Sequence, residues 1–218
     1  VRAQVLLHDI ADPAASAAAL LDGALRLFGR LPDASVLSAA SYDLDDALAP
    51  DAAMLQRQLA LNFLFPVQYC AALAARIQSR GARGGQAAAD HSATLFTDYK
   101  VQRVNRDFFS YSLSKHALEG SLPYLAVAYG PWLRVNAIAP GPVLAAHGMT
   151  QAALNQRVAA ESATGRHPTP EDIARTALYL AQTPSLVGQH ICVDAGARFD
   201  ARTREVCLDG PGPQGTAP

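Results

Sequence analysis

Cysteine is scarce in this sequence. Its 218 residues hold three, Cys70, Cys192 and Cys207, odd in number, widely spaced and never in a C-x-x-C pair. That argues against a disulfide framework and against a zinc site, and it fits a reducing, cytoplasmic setting. The six histidines show no H-x-x-x-H spacing, so no metal site is expected. Neither sign of charge is in excess: 18 Lys and Arg stand against 19 Asp and Glu. Such a balance gives no electrostatic reason to expect nucleic acid or an anionic membrane as partner. No serine sits in a G-x-S-x-G elbow, which argues against a serine hydrolase. No secretory signal is visible, because Asp9 and Asp12 interrupt the N-terminal apolar run. The stretch between Arg57 and Arg76 is uncharged and long enough to raise a membrane span. Asn62, Pro66 and Gln68 interrupt it, so a core or interface helix is expected. The glycines of RGARGGQAAAD, 80–90, follow a helix and precede a strand. A phosphate-cradling turn needs the opposite order, so this stretch is read as a surface connection.

What is present is a chain half hydrophobic, enough for one sizeable core. Strands are predicted at Val5–Leu7, 35–41, 92–98, 134–143 and 189–196. Helices are predicted at Ala14–Phe28, 52–80 with Pro66 as a break or kink, from Tyr111 to about Tyr129, at Met149–Glu161, and from Pro170 to about Gln182. Asp12-Pro13 and Thr169-Pro170 each read as an N-cap followed by proline at the first helical position. Strands alternating with helices imply an α/β, Rossmann-type doubly wound parallel sheet with helices on both faces. From Asp209 onward the Gly- and Pro-rich composition predicts disorder, so residues 201–218 are read as a partly disordered tail.

In open parallel sheets, ligands bind beyond the carboxyl ends of the strands. Asp9, Ala40-Ser41, Thr97-Asp98, Pro140-Gly141-Pro142 and Asp194 fall there and are expected to line one crevice. Tyr111 and Lys115 follow the strand that ends at Asp98. Their i, i+4 spacing sets them on one face of a helix. A free phenol has a pKa of about 10, and a nearby cation favours its ionised form. The pair is therefore a candidate general acid/base. Lys100, Arg103 and Arg106, alternating with Val101 and Val104, are read as a solvated loop.

At Tyr111-Ser112-Leu113-Ser114-Lys115 and Arg134-Val135-Asn136-Ala137-Ile138-Ala139-Pro140-Gly141-Pro142 the chain resembles the short-chain dehydrogenase/reductase family. Leu61-Asn62-Phe63, Phe28-Gly29-Arg30-Leu31 and Gly188 to Gly196 extend the likeness over nearly all of residues 1–200, read as one domain. Most members carry a serine on the strand end before the tyrosine. Here an aspartate, Asp98, stands thirteen residues before Tyr111, as in the pteridine reductase branch. The resemblance implies that Tyr111 relays a proton, that Lys115 lowers its pKa and holds the nicotinamide ribose, and that Asn62 supports a water-mediated proton path. It implies that Asp98, with Tyr111 and Ser41, meets a pterin-like substrate. It sets Asp9 and Ile10 beside the adenine, and Ala40, Thr97, Pro140, Gly141 and Val143 beside the rest of an NADPH (NADP) cofactor. It also implies a homotetramer or dimer built on helices 52–80 and 111–129. Two features depart from the family. The Gly-rich turn is not found, so the domain reads as N-terminally incomplete by two strands and two helices, and Ser38-Ala39-Ala40-Ser41 replaces a motif opening with two asparagines. These departures keep two alternatives open: a catalytically silent relative that serves as a binding or oligomer partner, and a reductase of another small carbonyl compound.

Overall fold

The computed structural model describes residues 3–10, 12–81, 90–146, 148–200 and 204–208. Helix α1, Pro13–Phe28, starts where Asp12 accepts hydrogen bonds from the amides of Ala14 (3.0 Å) and Ala15 (3.1 Å). It stops at Gly29, which takes the left-handed conformation (φ 72°) that a side chain would resist. Strand β1, Ala34–Leu37, follows. A long helical stretch, Ala52–Ser79, then divides into α2, Ala52–Leu59, one wide π turn, Ala60–Leu64, and α3, Phe65–Ser79. Pro66 has no N–H to give the carbonyl of Asn62. The widened turn absorbs that mismatch without ending the helix.

Strand β2, Ser92–Phe96, helix α4, Phe109–Tyr129, strand β3, Arg134–Pro140, helices α5, Gln151–Glu161, and α6, Pro170–Gln182, and strand β4, His190–Val193, complete the order. The four strands are parallel and lie in sequence order, with Leu37 opposite Leu95, Leu95 opposite Ala137 and Ile138 opposite Ile191. Side chains alternate across the sheet. Ala93, Leu95, Val135 and Ala137 pack with Leu21 of α1, Leu73 of α3 and Leu118 of α4. Ile138 packs on the opposite face with Ile173, Ala177 and Leu180 of α6. Helices thus cover both faces. The helix 52–79 has the length and apolarity of a membrane span, but Cys70, Leu73 and Ile77 spend that apolarity in the core.

Two expectations need correction. Residues 3–10 form no strand: Val5 and Leu7 are 84% and 89% exposed, and among the described residues no strand offers them a ladder. β1 ends at Leu37, not at 41, because its ladder with β2 ends there. Within the tail, Glu205 and Val206 are buried. Most of the 80–90 connection and the stretch from 209 onward lie outside the described residues.

One buried cation fixes α6 to the sheet. Arg134 on β3 is 3% exposed. Its Nη1 donates to the carbonyls of Leu180 (2.9 Å), Thr183 (3.0 Å) and Leu186 (3.2 Å), and its Nη2 to that of Ala181 (2.7 Å). These carbonyls belong to the last turn of α6 and the loop beyond it, where the helix dipole favours a cation. Replacing Arg134 by methionine removes these charge-assisted bonds and is expected to cost about 3 kcal/mol or more. For a chain of this size that corresponds to a fall in Tm of roughly 6–12 °C. A melting curve within about 1 °C of wild type would contradict this.

Candidate active site

The carboxyl ends of β1, β2 and β3 open into one cavity of about 920 Å³. β1 runs out through Ser38, Ala40 and Tyr42, β2 through Thr97 and Asp98, and β3 through Pro140, Gly141 and Val143. α4 contributes Tyr111 and Lys115, and α6 contributes an apolar wall around Ile173 and Ala177. Gly141 is needed for the tight turn there: a Cβ on it would come within 2.8 Å of the Asp194 Cα. A second cavity of about 160 Å³ adjoins the first and shares Tyr42, Asp98, Tyr111 and Gly141 with it.

Tyr111 and Lys115 are placed by an unusual helix start. Phe108, just before α4, has φ 55° and no capping side chain. A non-glycine residue held there needs support from its surroundings. The cap comes from Asp45, whose carboxylate accepts from the Ser110 amide (3.1 Å to each oxygen) and from the Ser110 hydroxyl (2.5 Å). The Phe108 ring stacks on Tyr42 at 3.9 Å between centroids, and Tyr42 meets Tyr111 edge-on at 4.6 Å. The loop after β1 therefore orients the helix that bears Tyr111 and Lys115.

The Tyr111 hydroxyl donates to Asp98 Oδ2 at 2.6 Å, and Asp98 Oδ1 accepts from the Lys100 amide at 2.8 Å. Lys115 Nζ donates to the Phe96 carbonyl at 2.6 Å and lies 5.6 Å from the Tyr111 ring centre. Burial holds the Tyr111 phenol well above its usual pKa, and the negative charge of Asp98 adds to that. Burial also raises the Asp98 carboxyl, against the hydrogen bond from Tyr111. Lys115 is pushed down to about 8 by burial, with Asp98 opposing. The expected lowering of Tyr111 by Lys115 is thus reversed: the ammonium is spent on a carbonyl, while the carboxylate touches the phenol. At neutral pH Tyr111 is a protonated donor bonded to a carboxyl group.

Of the residues expected at the site, Asp98, Tyr111, Lys115, Ala40, Thr97, Pro140, Gly141 and Val143 line the large cavity. Thr97 also bonds the Ile138 carbonyl (3.1 Å) and His190 Nε2 (2.7 Å). Asn62 lies one layer behind, 1% exposed. Its Oδ1 accepts from the Ser41 amide (2.9 Å), and its Nδ2 faces the Ser41 carbonyl (3.0 Å), Gln58 Oε1 (2.7 Å) and Ser114 Oγ (3.0 Å). It grips the Ser41 backbone much as a paired strand would. The Ser41 hydroxyl turns to Asp43 and Gln58, and Ser41 lines neither cavity. The next residue, Tyr42, lines both cavities. Asp9 is exposed, and its carbonyl accepts from Ser16, while Ile10 packs against the main core; neither lines the cavity. Lys100 and Arg103, expected in solvent, are 2% and 6% exposed.

The model of the enoyl-(acyl carrier protein) reductase family of short-chain enzymes matches residues 1–198. A short-chain dehydrogenase/reductase from Armillaria gallica is 36% identical over 104 residues, 43% of this chain and 40% of that protein. The aligned region thus spans less than half of that relative. Two solved structures of FolM alternative dihydrofolate reductase 1, both with NADP, are similar over most of this chain. The one from Brucella suis has a TM-score of 0.74 at 29% identity, covering 88% of this chain and 74% of its own. The one from Brucella canis has a TM-score of 0.76 at 28% identity, covering 90% and 74%.

Proposed function

The chain belongs to the short-chain dehydrogenase/reductase family, and on that premise we propose that it uses NADPH to reduce a C=N or C=C bond of a pterin or dihydropterin. The observation that carries this reading is the 2.6 Å bond between the Tyr111 hydroxyl and Asp98, with Lys115 beside it at the strand ends. A carboxylate at that position, where most of the family has serine, supports a substrate that offers ring N–H groups. The likeness to two FolM reductases supports the same substrate class.

The residues present fit the nicotinamide end of such a cofactor. Lys115 and Tyr111 set an ammonium and a phenol side by side on one wall, and Gly141 and Val143 shape the opposite turn. Lys115 is the one cation among the described residues lining the cavity, and none of them is assigned to a pyrophosphate. When bound, the cofactor supplies the hydride. Lys115 is placed to hold the ribose hydroxyls. Tyr111 delivers the proton from its hydroxyl and becomes a phenoxide; Asp98 keeps that hydroxyl aimed, accepts hydrogen bonds from the pterin ring and, after taking up a proton from solvent, passes it to the phenoxide.

Steady-state NADPH oxidation with 7,8-dihydrobiopterin, a simple ketone and a quinone tests this reading. Turnover of the dihydropterin is expected. Turnover of the ketone alone would overturn the role given to Asp98.

The pH dependence follows from Lys115. Its pKa is depressed to about 8, so it is charged below that pH and neutral above it. The reduction is therefore expected to hold at neutral pH and to fall about tenfold per unit above the limb near 8. A rate that stays flat to about pH 9.5 would contradict the need for a charged Lys115.

Homo-oligomerisation is part of the same reading. Along the helices proposed for it, Leu64, Leu113, Tyr124 and Val127 are 43%, 42%, 77% and 83% exposed. Light scattering that shows only monomer would rule it out.

A further inference from the structure

The C-terminal residues Arg204–Leu208 are tied into the site by buried charge. Lys100 is 2% exposed, and its ammonium has three acceptors: Glu205 Oε2 at 2.8 Å, Asn105 Oδ1 at 3.0 Å and the Asp107 carbonyl at 3.0 Å. Glu205, 4% exposed, also accepts from the Tyr99 hydroxyl at 3.1 Å through its other oxygen. Asp107 answers from the opposite side, accepting from Arg204 Nε (2.9 Å) and from the Glu205 amide (2.7 Å). The two residues that follow face the chemistry. Val206 packs on Leu154 and Val158 of α5, and Arg157 of that helix bonds its carbonyl. Cys207, with Val206, lines the smaller cavity beside Tyr42, Asp98 and Tyr111.

The same lysine serves the reacting carboxylate. Its side chain is anchored by Glu205, while its backbone amide holds Asp98 Oδ1 at 2.8 Å. A lysine two residues from Asp98, fixed at both ends, transmits the seating of the C-terminal segment to the carboxylate. We propose that Arg204–Leu208 is a strap that completes the substrate end of the cavity, with Cys207 as a size-selecting wall residue and the Lys100–Glu205 ion pair as the latch that seats the strap and positions Asp98. This rests on the reading of Asp98 and Tyr111 as the reaction centre. It adds that substrate size is chosen by the chain's own C-terminal segment.

The latch is tested without substrate, by alkylating the folded protein with iodoacetamide and following each cysteine by mass spectrometry. Glu205→Gln leaves the buried Lys100 ammonium without its counter-charge. Cys207 is then expected to react roughly tenfold faster as the strap opens locally, while fully buried Cys70 stays protected and reports an intact fold. If Glu205→Gln exposes Cys70, the double variant Lys100→Met with Glu205→Leu takes its place, because it removes the ion pair without leaving either charge unpaired. Cys207 reacting within about twofold of wild type, with Cys70 protected, would overturn the latch.

The wall and the positioning role are tested with 7,8-dihydrobiopterin. Cys207→Phe is expected to raise KM about tenfold with kcat nearly unchanged, the signature of lost ground-state fit. Glu205→Gln is expected to lower kcat as well, because Asp98 loses its alignment. A Cys207→Phe enzyme with KM within about twofold of wild type would overturn the wall. Absence of dihydropterin turnover in the wild type would overturn the functional reading and the wall with it, leaving the alkylation result to decide the latch alone.

Discussion

Replacing Tyr111 by phenylalanine is expected to lower kcat/KM for dihydropterin reduction by about 100- to 10,000-fold, the range a positioned general acid supplies. The substitution removes one oxygen and keeps the ring. The edge contact with Tyr42 at 4.6 Å therefore remains, and so does the backbone bond from Lys100 to Asp98. The proton is what disappears. Tyr111 is suited to give it because burial and Asp98 together keep the phenol protonated at neutral pH. An unchanged circular dichroism spectrum with this loss of rate would assign the effect to chemistry. A fall of less than about fivefold would show that another group delivers the proton.

Replacing Asp98 by serine is expected to shift the preference between a dihydropterin and a simple ketone by about 100-fold toward the ketone. Serine offers a ketone oxygen a hydroxyl to bond. It offers no carboxylate to ring N–H groups and no acid to re-protonate Tyr111 through the 2.6 Å contact. The site would also lose a buried acid whose pKa is raised by its surroundings, and groups perturbed in this way are typical of functional clefts. The kcat/KM ratio for the two substrates measures the shift. An equal fall for both would mean that Asp98 supports the site without selecting the substrate.

The parts of the fold that depend on neighbouring residues were legible in the sequence. Asp12 with Pro13, and Thr169 with Pro170, marked two helix starts, and both are capped as expected. The i, i+4 spacing of Tyr111 and Lys115 and the strand ends at 97–98 and 140–141 converge on one cavity. What was not legible depends on partners far away in the chain. Val5–Leu7 has the composition of a strand, but a strand exists only where another edge pairs with it. The cap of α4 comes from Asp45, 65 residues before Ser110. Lys100 reads as solvated because its counter-ion, Glu205, lies 105 residues on. The missing capping residue at Phe108 was the one local sign that a distant carboxylate was needed. The direction of the Tyr111 pKa shift is not legible for the same reason: spacing pairs the phenol with Lys115, but burial and the contact with Asp98 decide it.

The most direct measurement is transfer of label from NADPH deuterated at the nicotinamide C4 into 7,8-dihydrobiopterin, read by mass spectrometry of the product. Wild-type protein is predicted to yield a tetrahydropterin carrying one deuterium, and Tyr111→Phe to yield almost none in the same time. Unlabelled pterin recovered unchanged from the wild-type protein, with NADPH bound and the fold intact, would contradict the account.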